Sequence, residues 1–197
     1  MKFIEIRKKD LLTIPNILCY FRIILVPVFV VLYLRAESAA DYLLAAGAAA
    51  LASLTDLIDG KIARKFNQIT EFGKFIDPIA DRMMQAAMML VLVLRIRWMW
   101  ALVALFIVKE GFMGVAGLVM LQRGRKLNGA KYIGKVCTTV LFVSMIVLIC
   151  LPNLSSTHPT VVNILLLLCA VFMILSLISY IFTYIQMYKE TLDEAKE

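Results

Sequence analysis

Six long apolar stretches limit what this chain can fold into more than any other feature of its sequence. They run approximately over residues 15–35, 39–60, 75–95, 98–121, 136–152 and 161–187. A helix of about 20 apolar residues crosses the hydrocarbon core of a bilayer. The hydrophobic share of the chain, 62%, is above the roughly 45–50% of soluble domains. The sequence therefore predicts an all-α integral membrane protein, a six-transmembrane-helix bundle in which residues 1–197 form a single domain.

The connections between the stretches predict the orientation of the bundle. Lysine and arginine collect in the N-terminal segment and after the second and fourth stretches, whereas the other connections carry few of them. By the positive-inside rule, both termini are expected in the cytoplasm of a multi-pass protein of the inner or plasma membrane. Residues 1–12 mix charged and apolar side chains, which predicts a short interfacial helix. The net charge of +7 then reflects topology and contact with membrane lipids, and we expect no nucleic-acid partner.

Four aspartates stand near the membrane boundary, where the second stretch ends and the third begins. Asp56 and Asp59 are three residues apart, and Asp77 and Asp81 are four apart. Each pair therefore shares one face of a helix. Carboxylates at membrane depth are costly and usually functional. If the two helix ends lie side by side, their hard oxygen ligands suit Mg²⁺ or Mn²⁺, which bind carboxylates and phosphate oxygens together. The orientation places this predicted site at the cytoplasmic face.

Small residues and one proline bear on how these helix ends are built. The second stretch is rich in alanine, and small side chains let membrane helices approach closely. Pro78 leaves the start of the third helix open. It suits the first helical position with Asp77 as N-cap, whereas a helix beginning near Thr70 would hold it in the interior.

The segment 56–81 also carries a recognisable pattern. It reads Asp56-x2-Asp59-Gly60-x2-Ala63-Arg64-x8-Gly73-x3-Asp77-x3-Asp81. This pattern resembles the complete signature of the CDP-alcohol phosphatidyltransferase family. The opening Ile14-Pro15-Asn16-Ile17-Leu18, with Arg22 and Pro27 after it, is similar to the usual first helix of that family. The resemblance implies a six-helix membrane fold and a homodimer.

The resemblance also implies roles for the residues of the signature. Asp56, Asp59 and Asp77 would be metal ligands, in a site for two Mg²⁺ or Mn²⁺ ions. Asp81 would either bind metal or act as the base that deprotonates the attacking hydroxyl. Two such ions can polarise a phosphoryl centre and stabilise the leaving group. The residues implied to bind CDP are Thr55, Asp56, Gly60, Ala63, Arg64 and Gly73, of which Gly73 would also allow close approach of the two helix segments.

The acceptor alcohol is predicted from similarity to particular members of this family. The local sequence is similar to phosphatidylglycerophosphate synthases, which transfer phosphatidyl from CDP-diacylglycerol to glycerol 3-phosphate and release CMP. A cardiolipin synthase of the same family, with phosphatidylglycerol as acceptor, is the alternative. The candidate acceptor-binding residues are Lys109, Arg123 and Lys135. Lys109 and Glu110 could equally form a structural ion pair, and topology alone would also place basic residues there.

Two other readings of the aspartates stay open. They could form a structural salt-bridge network with Lys61, Arg64 and Arg82. Acids in a membrane can also line the cation pathway of a transporter. Against transport, these acids cluster at one boundary, and the sequence shows no inverted repeat.

Overall fold

The computed structural model describes residues 13–65, 70–122 and 132–194. Within these ranges the side chains of residues 57, 59–65, 71, 72, 74, 75, 121 and 190–194 lie outside the description, as does the interfacial helix predicted over residues 1–12. All the regular elements described are helices. They are α1 (Ile14–Leu34), α2 (Ala39–Lys65), α3 (Glu71–Val93), α4 (Met99–Gln122), α5 (Tyr132–Cys150), α6 (Leu154–Thr157) and α7 (Pro159–Glu194). The prediction of an all-α fold is confirmed.

Four helices in the described ranges are long and apolar enough to cross a membrane. These spans are Ile14–Leu34, Met99–Met120, Tyr132–Cys150 and Pro159–Lys189. The chain is therefore a multi-pass membrane protein. The two helices that carry the aspartates, α2 and α3, are not among these four spans within the described residues. Six spans thus stay a prediction.

Several helices extend beyond the apolar stretches by a few residues. The stretches start near 75 and 136 and end near 187, whereas α3 begins at Glu71, α5 begins at Tyr132 and α7 continues to Glu194. Apolar runs mark only the part of a helix that suits lipid, whereas backbone hydrogen bonding continues into polar sequence. With 36 residues, α7 is about 54 Å long at the usual rise per residue.

The chain divides into two compact units. The first comprises Met1–Arg95 and Met145–Asn153, and the second comprises Ile96–Ser144 and Leu154–Glu197. The single domain over residues 1–197 stays a prediction, because compact units of a helical bundle need not fold separately. In the second unit α4 packs on α7, where Met120, Tyr180 and Tyr184 are buried together and Phe112 meets the Tyr184 ring edge-on.

In the first unit, α1 is the central helix. It packs along both α2 and α3, whereas α2 and α3 contact each other little. The face of α2 that is buried is made of alanines, with Ala45, Ala49 and Ala52 fully covered. Small side chains allow this close packing, as predicted from the alanine-rich sequence. The same helix then leads directly to Thr55 and Asp56, so the packing fixes where the acids of α2 lie.

Candidate active site

The start of α3 is built by a threonine cap and not by Asp77. Thr70 is the N-cap, and its Oγ1 accepts a hydrogen bond of 2.9 Å from the backbone N–H of Gly73. A side-chain oxygen at this position satisfies one of the amide donors that a helix start leaves open. Pro78 is therefore inside the helix, which decides between the two starts that the sequence left open. Without an N–H, Pro78 cannot close the usual bond to the carbonyl four residues earlier.

Gly73 is where the start of α3 lies against α1. A Cβ atom built on Gly73 would stand 2.5 Å from Oδ1 of Asn16 and 2.9 Å from Oγ1 of Thr70. Asn16 in turn donates from Nδ2 to the Thr70 hydroxyl at 3.2 Å. The close approach at this glycine is thus to α1, whereas the sequence-based expectation concerned the segments of α2 and α3. Any larger side chain would displace the Asn16 side chain or the Thr70 cap.

One polar face of α1 runs along this contact, which we call the α1 polar stripe: Asn16, Cys19 and Arg22. These residues follow one another at intervals of three, so they share a side of the helix. Each is 1–2% exposed. Asn16 holds the Thr70 cap, and the Cys19 thiol lies 3.4 Å from Oδ1 of Asp77 as a hydrogen-bond donor. The stripe therefore fixes the first two turns of α3 to α1.

Arg22 joins the acid-bearing ends of α2 and α3. Its Nη1 donates to Oδ1 of Asp77 at 2.8 Å, and its Nη2 lies 3.0 Å from Oδ1 of Asp56. The guanidinium is 1% exposed, whereas the side chains of Asp56 and Asp77 are 37% and 45% exposed. The cation thus lies beneath the two carboxylates, which are partly open to their surroundings. The structure brings Asp56 and Asp77 together around this one guanidinium.

Asp81 belongs to the same acidic group, one turn further along α3. The carboxylates of Asp77 and Asp81 both lie close enough to repel that of Asp56. Gln85 donates from Nε2 to Oδ2 of Asp81 at 3.4 Å, and Arg82 donates from Nη1 to Oε1 of Gln85 at 3.1 Å. Three of the four predicted aspartates therefore share one electrostatic environment. The backbone of Asp59 continues α2, but its side chain lies outside the description.

The donor atoms present fit a hard divalent cation. Among the described residues, the contacts of Asp56 and Asp77 all go to Oδ1, from Arg22 and Cys19. Their Oδ2 atoms have no described partner, and carboxylate oxygens are the ligands that Mg²⁺ and Mn²⁺ prefer. No group of three described His, Cys, Asp or Glu side chains is close enough to hold an ion by itself. A complete ligand set needs Asp59 or the phosphates of a substrate.

The remaining predicted site residues fall in different places. Thr55 is buried and its hydroxyl donates to the carbonyl of Ala52 at 2.7 Å, within its own helix. The side chains of Gly60, Ala63 and Arg64, predicted to bind CDP, lie outside the description, as does the whole of Arg123. Lys109 and Lys135 belong to the second unit, whereas the aspartates belong to the first.

The two lysines differ in their surroundings. Lys109 is 3% exposed and its Nζ lies 2.6 Å from Oε1 of Glu110, so the ion pair considered from the sequence is formed. Lys135 is exposed, and its backbone carbonyl accepts hydrogen bonds from the hydroxyls of Thr138 and Thr139. An acceptor-binding role for either lysine stays a prediction.

Sequence reasoning missed the α1 polar stripe and the Thr70 cap. The salt-bridge alternative named Lys61, Arg64 and Arg82 as partners of the acids. The side chains of Lys61 and Arg64 lie outside the description, and the cation that the structure places on Asp56 and Asp77 is Arg22. A signal was present, because an arginine inside an apolar run needs a counter-charge. Its spacing from Asn16 and Cys19 marks one helix face. Which acids that face would meet depends on α1 being central, and no residue pattern states this.

Comparison with known proteins gives consistent matches. The family model for CDP-alcohol phosphatidyltransferase matches residues 12–187. The CDP-diacylglycerol–glycerol-3-phosphate 3-phosphatidyltransferase of Salmonella typhimurium strain LT2 is 34% identical over 144 residues, which cover 72% of this chain and 79% of the relative. The protein of the same name from Escherichia coli strain K12 is 33% identical over the same coverage.

Proposed function

Since the chain belongs to the CDP-alcohol phosphatidyltransferase family, we propose that it transfers the phosphatidyl group of CDP-diacylglycerol to glycerol 3-phosphate, giving phosphatidylglycerophosphate and CMP. The observation that carries the choice of acceptor is the 34% identity, over 72% of the chain, to proteins named for this reaction. The acidic cluster of α2 and α3 supplies the chemistry that such a transfer needs.

In this proposal the hydroxyl oxygen of glycerol 3-phosphate attacks the β-phosphorus of CDP-diacylglycerol. The bond between that phosphorus and the bridging oxygen breaks, and CMP leaves with the bridging oxygen. The hydroxyl proton passes to a carboxylate, for which Asp81 is the candidate. Its hydrogen bond from Gln85 would hold the carboxylate in place. A direct transfer needs no covalent enzyme intermediate.

A divalent-metal site completes the proposal. Asp56, Asp59 and Asp77, with Asp81 as a further candidate, would hold Mg²⁺ or Mn²⁺, and two ions are expected. Support comes from the partly exposed carboxylates of Asp56 and Asp77, whose contacts among the described side chains use only Oδ1. When bound, the metal would screen the diphosphate and stabilise the charge that develops on the departing phosphate.

The nucleotide would lie along the end of α2. Gly60 and Ala63 are small enough to leave room for CMP, and Arg64 offers a planar fork for phosphate oxygens. Thr55 uses its donor within α2, but its oxygen can still accept a hydrogen bond. Gly73 has Asn16 and Thr70 as its described neighbours, so its packing role has support and its contact with CDP is an expectation.

The proposal also includes the arrangement of the protein in the membrane. Six spans, with α2 and α3 as the two additional crossings, put both termini and the acidic cluster on the cytoplasmic side of the inner membrane. The arginine and lysine distribution supports this orientation. The diacyl tails of the donor would then stay in the bilayer while cytidine reaches the cytosol. A homodimer is the expected assembly.

The deciding experiment uses purified protein with CDP-diacylglycerol, Mg²⁺ or Mn²⁺, and one acceptor at a time. We expect CMP release and phosphatidylglycerophosphate formation with glycerol 3-phosphate, and loss of both when a chelator removes the metal. Product only with phosphatidylglycerol would make the protein a cardiolipin synthase. No CMP with any acceptor would reject the transferase and return attention to cation transport.

A further inference from the structure

We propose that Arg22 is a positioning residue that serves as a built-in substitute cation: it stabilises the metal-free acidic cluster and, for the same reason, weakens divalent-metal binding. The inference rests on the proposed function, because it assumes that Asp56 and Asp77 are metal ligands. It goes beyond that function by giving a role to a residue of α1, outside the 56–81 signature.

The first step is the burial and permanence of the charge. Arg22 is 1% exposed and lies between two helices that each bring an acid to it. An arginine cannot lose its proton in a protein, so the site holds a fixed positive charge at any physiological pH. The planar guanidinium also offers two donors at once, which one ammonium cannot do with the same geometry.

The second step is how the carboxylate oxygens are divided. Arg22 contacts Oδ1 of Asp77 at 2.8 Å and Oδ1 of Asp56 at 3.0 Å. The Cys19 thiol also donates a hydrogen bond to Oδ1 of Asp77. Among the described residues no hydrogen bond or ion pair is formed with either Oδ2 atom. Each acid therefore has one oxygen fixed to α1 from the buried side and one left for a ligand from the exposed side.

The third step is the electrostatic balance. Asp77 and Asp81 both repel Asp56 when no metal is present. Arg22 offsets this repulsion and holds the ends of α2 and α3 together. A divalent cation held by the same carboxylates would offset this repulsion as well, and it would place a second positive charge near Arg22. Arg22 is thus worth more to the metal-free protein than to the metal-bound one.

Thermodynamic linkage turns this difference into a measurable prediction. If a residue stabilises the metal-free form more than the metal-bound form, its removal must tighten metal binding by the same factor. A residue that merely packs the helices would stabilise both forms equally, and its removal would leave metal affinity unchanged. The two accounts therefore differ in metal affinity and not only in stability.

The test compares wild type, Arg22→Gln and Arg95→Gln in detergent, without nucleotide or lipid substrate. The free Mn²⁺ signal in electron paramagnetic resonance gives the Kd, and thermal unfolding with a chelator or with saturating Mn²⁺ gives the increase in Tm that metal causes. For Arg22→Gln we expect a lower Tm with chelator, a larger increase in Tm with Mn²⁺, and a Kd tighter by on the order of tenfold, the scale of a nearby charge in a wet site. Arg95→Gln should change neither the Kd nor the metal-dependent increase.

Each outcome decides the question. Equal or weaker Mn²⁺ binding by Arg22→Gln would overturn the inference, while absence of Mn²⁺ binding by wild type even after CDP-diacylglycerol is added would instead reject the metal site of the proposed function. If Arg22→Gln does not fold, the pair Arg22→Gln with Asp56→Asn removes one charge of each sign. Recovery of a folded, metal-free protein in that pair supports the counter-ion role, and failure to recover it overturns the role.

Discussion

Two arginines connect α1, α2 and α3 at opposite ends of these helices, and their partners differ in chemistry. At the end where α2 finishes and α3 begins, Arg22 is buried and contacts two carboxylates. At the other end, Arg95 is exposed, its guanidinium carbon lies 4.5 Å from the ring centre of Tyr42 and 5.8 Å from that of Tyr33, and it donates to the Tyr42 hydroxyl.

The two ends differ in how much charge stays available for binding a ligand. The Tyr42 hydroxyl donates a hydrogen bond to the carbonyl of Ala36 at 2.8 Å, and its ring meets that of Tyr33 edge-on, so the polar groups of the aromatic end bond within the protein. The acidic end brings three described carboxylates close together, and the two that contact Arg22, Asp56 and Asp77, are partly exposed. A site for a cation needs negative charge that is not already neutralised within the protein. We therefore expect ligand binding and catalysis at the acidic end and not at the aromatic end.

Asp81→Asn is the strongest test of whether catalysis takes place at the acidic end. The asparagine can keep a contact with Gln85 but cannot take up a proton, so turnover should fall by about 100- to 10,000-fold, the usual worth of a general base. CMP release measures the loss, and thermal unfolding checks that the protein remains folded. Retained activity in a folded Asp81→Asn protein would refute its catalytic role.

Asp41→Asn is the matched control at the aromatic end. Asp41 lies in the first turn of α2, where its Oδ2 accepts hydrogen bonds from the backbone N–H and the hydroxyl of Ser38. We expect activity within about twofold of wild type, because surface substitutions of this kind have small effects. A large loss in the control would show that acids at both ends matter to turnover.

Gly73→Ala should have the next largest effect, on stability. The new methyl group would stand 2.5 Å from the Asn16 carbonyl oxygen, so the contact between α1 and α3 must open. Overpacking of this kind costs about 1–3 kcal/mol in the free energy of unfolding. Gly47→Ala on α2 has no heavy atom within 4 Å of the new methyl, and should stabilise by about 0.5–1 kcal/mol through helix propensity. Unfolding by a denaturing detergent compares the two, and equal effects would contradict the packing at Gly73.

Arg95→Gln should have the smallest effect. It removes the contacts with the rings of Tyr33 and Tyr42, worth about 0.5–1 kcal/mol at an exposed site. Unfolding measurements should show that modest loss, and the KM for CDP-diacylglycerol should not change. A raised KM would mean that the aromatic end also takes part in binding and would remove the contrast between the two arginines.

The sequence predicts the helical class and the acidic end well, since both depend on local patterns. Apolar stretches long enough to cross a bilayer can be read directly from the sequence. Aspartates near such stretches are conspicuous because a charged group is costly at membrane depth. The start of α3 could not be chosen, because Pro78 is compatible with two helix starts and Thr70 caps one of them only when Asn16 is beside it. Arg22 was visible as a charge, but its partners follow from the packing of α1 between α2 and α3, which is a tertiary property.

The position of Arg22 on α1 also has a consequence for biosynthesis. The ribosome completes α1 before it has made either Asp56 or Asp77, so the arginine reaches the membrane without the acids that will neutralise it. A lone arginine within an inserting helix costs about 2.5–3.5 kcal/mol. That cost is recovered only when α2 and α3 have arrived and closed around α1. A chain interrupted before α3 therefore has Asp56 as a counter-charge for Arg22 but lacks Asp77, the carboxylate at 2.8 Å from the guanidinium.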